Sequence, residues 1–137
     1  MTQPILILDD PSITVHCYVD EGVIHHEVHA FCNMETMKRA LTAGVEAMRE
    51  HGATKWLSDD RKNGPLSADQ EAWGRQVWFP SAYEAGWRFW AICLPEGVVA
   101  RQTLERRIAG YAQQGVTVER FDDPTVAWGW LRHQAAP

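Results

Sequence analysis

The sequence predicts an α/β fold: a mainly parallel sheet with an N-terminal antiparallel hairpin strand, and helices packed on the sheet. Three observations carry that reading. Two stretches near the N-terminus alternate apolar and polar residues with period two; helical stripes then alternate with short apolar strands; and short turn signals separate them without repeat, linker or low-complexity tract. At 137 residues, 45% apolar and 23% charged, the chain is the size of one domain, spanning 1–137, with core enough to fold without a disulfide or metal.

The elements follow in order. Ile5 to Leu8 is a short edge strand. Ile13 to Asp20 places Ile, Val, Cys and Val at odd positions and Thr, His, Tyr and Asp at even ones, a half-buried strand, and Val23 to Phe31 is its partner. With Glu21-Gly22 as a two-residue turn, Asp20 faces Val23, Tyr18 faces His25 and His16 faces Glu27. The period then changes: Met34, Met37, Leu41, Val45 and Met48 form one helical stripe behind Asn33 as N-cap, and Gly52 stops it. Thr54 to Ser58 is a short strand, followed by a polar loop to Pro65. Ser67 with Gln70 is a capping-box pattern opening a helix through Trp73, Val77 and Trp78 that Pro80 interrupts. Trp87 to Leu94, apolar but for Arg88, reads as a central strand buried on both faces. Val98 to Gln114 is a helix with Leu104, Ile108 and Tyr111 inward and Gly115 as its stop; Val116 to Phe121 is the last strand. Asp123-Pro124 opens a terminal helix using Val126, Ala127, Trp130 and Leu131.

Composition argues against several classes. Thirteen Lys and Arg against 18 Asp and Glu give a net charge of −5, the wrong sign for a surface that neutralises phosphates, so nucleic acid is not an expected partner. No apolar run approaches the ~20 residues that span a bilayer, and the first residues lack the basic flank of a secretion signal, so a cytoplasmic location is expected. Three widely spaced cysteines, Cys17, Cys32 and Cys93, without a CxxC pair, fit a reducing compartment. The sequence holds no GxSxG, GxxxxGK[ST], HExxH or GxGxxG motif, which counts against an enzyme. Neither cofactor nor metal is expected: His25 and His29, four residues apart on a strand, are ~13 Å apart and cannot share an ion. The same strand pair gathers His16, Tyr18, His25, Glu27 and His29 on one polar face, while His26, between Ile24 and Val28, reads as a satisfied core histidine.

The candidate site lies beyond the carboxyl ends of the strands, where Ser58–Asn63 and Leu94–Gly97 form natural rims of a crevice. Asp59, Asp60, Arg61 and Asn63 bring acceptors, a guanidinium fork and an amide into five residues, suited to orienting a polar ligand or a partner's backbone, or to fixing the loop by an Asp–Arg pair. Seven tryptophans are the compositional anomaly; Trp73 and Trp78, five apart on a helix, face different surroundings, and Trp87 and Trp90 on the central strand are core. Cys32, at a strand-to-helix junction, is the thiol whose pKa a helix N-terminus can lower.

Lys55-Trp-Leu-Ser-Asp-Asp-Arg61, Trp73 through Trp78-Phe-Pro80, and Gly86-Trp-Arg-Phe-Trp-Ala91 together resemble segments of a group of small bacterial proteins labelled SpoIIAA-like or STAS-like, and the element order from Ile13 to Leu131 resembles the STAS domain. The resemblance implies a non-enzymatic binding or regulatory module. It also implies a candidate phosphorylation site: STAS antagonists carry a phosphorylated serine at the start of the helix after the second parallel strand, and Ser67 is the nearest match. The match departs from the family pattern, since Arg61–Leu66 intervene and Ala68-Asp69 follow, and the capping role already accounts for Ser67. Likeness to the CRAL-TRIO lipid-transfer fold adds a second expectation, a carrier of lipid or another hydrophobic ligand. The expected function is therefore binding of a protein partner or small apolar ligand, with Asp59, Asp60, Arg61, Asn63, Trp73 and Trp78 at the site. A small hydrolase or lyase using His and Asp groups of the same crevice is the enzymatic alternative.

Overall fold

The computed structural model describes residues 3–134, so the ends of the expected 1–137 domain lie outside it. Six strands, β1 (Ile5–Asp10), β2 (Ile13–Tyr18), β3 (Val23–Val28), β4 (Lys55–Asp59), β5 (Phe89–Cys93) and β6 (Thr117–Phe121), lie side by side in chain order. β1, β2 and β3 pair antiparallel and β3 through β6 pair parallel, an α/β sheet with its antiparallel part at the N-terminal edge. α1 (Met34–His51), α3 (Phe79–Glu84) and α4 (Val98–Gln113) bury apolar residues on one face, where α2 (Ala68–Trp73) adds the partly buried Trp73; α5 (Pro124–Arg132) covers the other with Ala127 and Leu131. Among the described residues no helix is long and apolar enough to cross a membrane.

Local chemistry sets most of these boundaries. Asn33 Oδ1 accepts from Thr36 N–H at 2.9 Å to start α1, and Gly52, at φ 69°, ends it in the left-handed conformation that L side chains avoid. Ser67 and Gln70 exchange both bonds of a capping box at the head of α2. Asp123 caps α5, though Val126 faces solvent rather than the core.

Two further details of the fold differ from the sequence reading. Val19–Gly22 form a four-residue loop, with Gly22 N–H donating to Tyr18 O at 2.9 Å, so His16 faces His25 and Tyr18 faces Val23. The slip is two residues, which leaves each side chain on its expected face; a one-residue slip would have turned the core outward. The second lies between α2 and α3, where Gly74–Trp78 form a π turn. Pro80 has no N–H and its ring presses on the carbonyl four residues back in an α-helix. The chain absorbs this by widening the preceding turn, Phe79 N–H reaching Gly74 O, and runs on unbroken. Five residues of α-helix would leave Trp73 and Trp78 about 140° apart; the wider turn brings both onto the same core.

That core is aromatic. Trp56, Trp78, Trp87 and Trp90 meet edge to face, with Trp56 5.3 Å from Trp78 and Trp78 5.1 Å from Trp87, while Phe79 stacks on Tyr111 at 4.3 Å. Each of the four indoles finds an acceptor: His26 Nδ1, Leu41 O, Phe89 O and Ser58 Oγ respectively.

Candidate functional site

β4 deals its residues to two faces. Trp56 and Ser58, followed by Asp60, point toward α1 and α4; Leu57 and Asp59 point toward the other side. The first set borders a cavity of about 50 Å³ whose wall is mostly apolar, with Leu41 from α1, Leu104 from α4 and the faces of Trp56, Trp78 and Trp90. A water needs ~10–15 Å³, so a few waters or a few ligand atoms fit.

The polar part of the wall starts from His26. The Trp56 indole can only donate, so Nδ1 of His26 is the acceptor at 2.9 Å; the ring proton therefore sits on Nε2 and is donated to Asp60 Oδ1, also at 2.9 Å. His26 and Asp60 are 6% and 5% exposed. Sequence reasoning recognised His26 as a satisfied core residue; its partner in that satisfaction is the candidate ligand-binding Asp60. Ser58 Oγ accepts from Trp90 at 2.8 Å. Both nitrogens of His26 are occupied, so it cannot act as base toward Ser58, and the three do not form a nucleophilic triad.

Three further polar atoms on this cavity are buried and have no partner: Asn63 Oδ1, Arg107 Nη2 and the Tyr111 hydroxyl. Native proteins pair the large majority of buried side-chain polar atoms, and each orphan costs about 1–3 kcal/mol. Burial raises the Tyr111 pKa, with Arg107 and Arg75 pulling the other way, so the phenol keeps its proton and is a donor.

Of the residues expected at the site, Asp60, Asn63 and Trp78 meet here. Trp73 packs on the core without lining the cavity. The Ser67 hydroxyl is engaged in the capping box. Asp59 and Arg61 pair on the opposite side of β4, Arg61 Nε and Nη2 donating to the two Asp59 oxygens at 2.9 and 2.8 Å. Burial acts to raise the Asp59 pKa, but the Arg61 hydrogen bonds and charge outweigh it and hold the carboxyl below its ordinary 3.8. A depressed folded pKa adds stability above the unfolded value that is lost as pH falls through the folded one. Arg61→Ala is therefore expected to cost about 1–3 kcal/mol at pH 7, with the gap to wild type closing as the pH falls below about 4. Urea unfolding at a series of pH values checks this, and a loss that stays constant down to pH 3 would contradict it.

Cys32 differs from expectation: it is buried at the cavity edge, and burial holds its thiol above the ordinary range, the reverse of an activated nucleophile. Burial likewise pushes Cys93 up to about 12. On the polar face of the hairpin, Trp128 of α5 stands edge-on to Tyr18 and His25, and burial lowers the His25 pKa to about 4. Among the described residues no three His, Cys, Asp or Glu side chains are placed to hold a metal.

Arg107 and Tyr111 escaped the sequence reading as site residues. Tyr111 was legible as inward-facing, and Arg107, four residues before it, shares its side of α4. Fold and cavity together define an α/β protein with a largely apolar, partly polar pocket between its sheet and its helices. No family model matches the chain, and neither a curated protein nor a solved structure is detectably similar to it.

Proposed function

We propose that this chain is a STAS-like, non-enzymatic binding module that takes a small, mainly apolar molecule with one polar end into the cavity bordered by Asp60, Asn63 and Trp78. The observation that supports this best is the convergence of three buried, unpartnered polar atoms, Asn63 Oδ1, Arg107 Nη2 and the Tyr111 hydroxyl, on one apolar-walled space. A ligand acceptor answers Arg107 Nη2 and the Tyr111 hydroxyl where the protein does not, and a water or ligand donor answers Asn63 Oδ1. Size argues for a small ligand over a long acyl chain: 50 Å³ is about a third of a cavity that holds one benzene ring. The engaged state of His26 argues for binding over hydrolysis.

Thermal unfolding against a library of small polar-headed fragments, with solvent extraction and mass spectrometry of the purified protein, tests this. Bound fragments are expected to raise Tm with a saturable dependence on concentration. Leu104→Phe, which fills the cavity, is expected to remain folded and lose the response. No Tm shift across the library together with an empty extract would overturn the reading.

A further inference from the structure

Resting on that reading, we infer that the polar end of the ligand is an anion, held by Arg107 and Tyr111 where the cavity meets an arginine-lined cleft. A second hollow, of about 160 Å³, lies between α2, the π turn and α4, and Arg107 and Tyr111 line both spaces. Its other charged residues are Arg75, Arg106 and Glu71. Arg106 donates to Glu71 at 3.3 Å, whereas no ion pair neutralises Arg75 or Arg107 among the described residues. Positive charge is thus left unbalanced at one cleft of a chain whose net charge is −5.

The placement of Arg107 depends on Gly74 in the π turn. A Cβ there would stand 2.6 Å from Arg107 Nη2, 3.1 Å from its Cζ and 3.4 Å from the Tyr111 hydroxyl. The guanidinium therefore occupies space that any other residue at 74 would contest, and it does so with Nη2 buried and unpaired beside a buried, unpaired phenol. A carboxylate offers two oxygens to these two donors and supplies the missing counter-charge; an alcohol or carbonyl offers a single oxygen and no charge. Asp60 does not answer the need from within, since its Oδ1 takes the His26 proton and no ion pair joins it to Arg107. The apolar walls at Leu41, Leu104 and Trp78 then receive a chain of a few carbons.

Three probes with one four-carbon body separate charge from cavity: butanoate, butan-1-ol and butan-1-ammonium, each titrated into 15N-labelled protein at constant ionic strength. Butanoate is expected to shift the amides of 60–63 and 107–111 saturably and to bind about tenfold or more tighter than butan-1-ol, with butan-1-ammonium weakest. Gly74 has helical backbone angles, so Gly74→Ala is expected to keep or raise Tm while displacing the guanidinium, abolishing the preference for butanoate and leaving butan-1-ol binding unchanged. Arg107→Gln is expected to remove the same preference. Equal binding of butanoate and butan-1-ol, or a preference for the ammonium, overturns the anion site and leaves the cavity reading standing. A butanoate preference that survives both variants overturns it too, by placing the anion elsewhere; silence from all three probes removes the anion site and counts against the cavity as well.

Discussion

Gly44→Ala is expected to destabilise the protein by about 2–4 kcal/mol, although the same change in an open helix position gains up to about 1 kcal/mol. Gly44 sits in the middle of α1 where the helix crosses Trp56, and a Cβ there would stand 2.8 Å from Trp56 Cζ3 and closer still to Cη2. A flexible side chain could give way, but Trp56 cannot. Its ring is 1% exposed, its N–H is bonded to His26, and Trp78 and Trp87 hold it at 5.3 and 6.3 Å. Relief must come from moving α1 off the sheet or from tilting the indole, which breaks the His26 bond and disturbs the cavity wall. Gly110→Ala in α4, where a new Cβ has no neighbour within 4 Å, is the matched control and is expected to be neutral or stabilising. Thermal or urea unfolding of the two variants decides this; a Gly44→Ala protein as stable as wild type would mean that α1 is not in register on Trp56.

The same contrast explains what could be read from the sequence. Caps, stops and faces are local: Asn33, Gly52, Ser67 with Gln70, and Asp123 each act within four residues, and all four stand where the pattern put them. Hairpin register is less local, because the loop length between β2 and β3 shifts the pairing without changing the faces on which the pattern depends. The π turn leaves almost no signature, since Pro80 announces a disturbance but not how the chain absorbs it. The loop after β4 reads in the sequence as one polar cluster, and the fold divides it. Asp60 and Asn63 reach the cavity, while Asp59 and Arg61 close on each other behind the strand. Strand alternation counted from Trp56 separates Asp59 from Asp60. No periodicity announces that Tyr111 and Arg107 of α4 arrive beside the loop, because that meeting is made by the β5–α4 crossover.

The His26–Asp60 pair supplies the other large expected effect. His26→Leu removes at once the one side-chain hydrogen bond to the Asp60 carboxylate among the described residues and the acceptor of the Trp56 indole, in a place where both groups are almost wholly buried. Stranding one partner of a buried pair costs about 3–5 kcal/mol, so the variant is expected to lose that much. The loss separates from simple cavity creation through a second change. Asp60→Asn introduced into His26→Leu exchanges a stranded carboxylate for a neutral amide, which is cheaper to bury, and is expected to recover about 1 kcal/mol or more. In wild type the same Asp60→Asn is expected to be destabilising, because it exchanges a charge-assisted bond from His26 for a neutral one. The sign of the Asp60→Asn effect therefore reverses with residue 26, which packing alone cannot produce. If the two changes add, Asp60 is not sustained by His26, and the cavity's acidic wall is held by something else. If the sign reverses, the hairpin histidine is what makes a buried carboxylate tolerable at the cavity wall, linking the antiparallel part of the sheet to the pocket beside its centre.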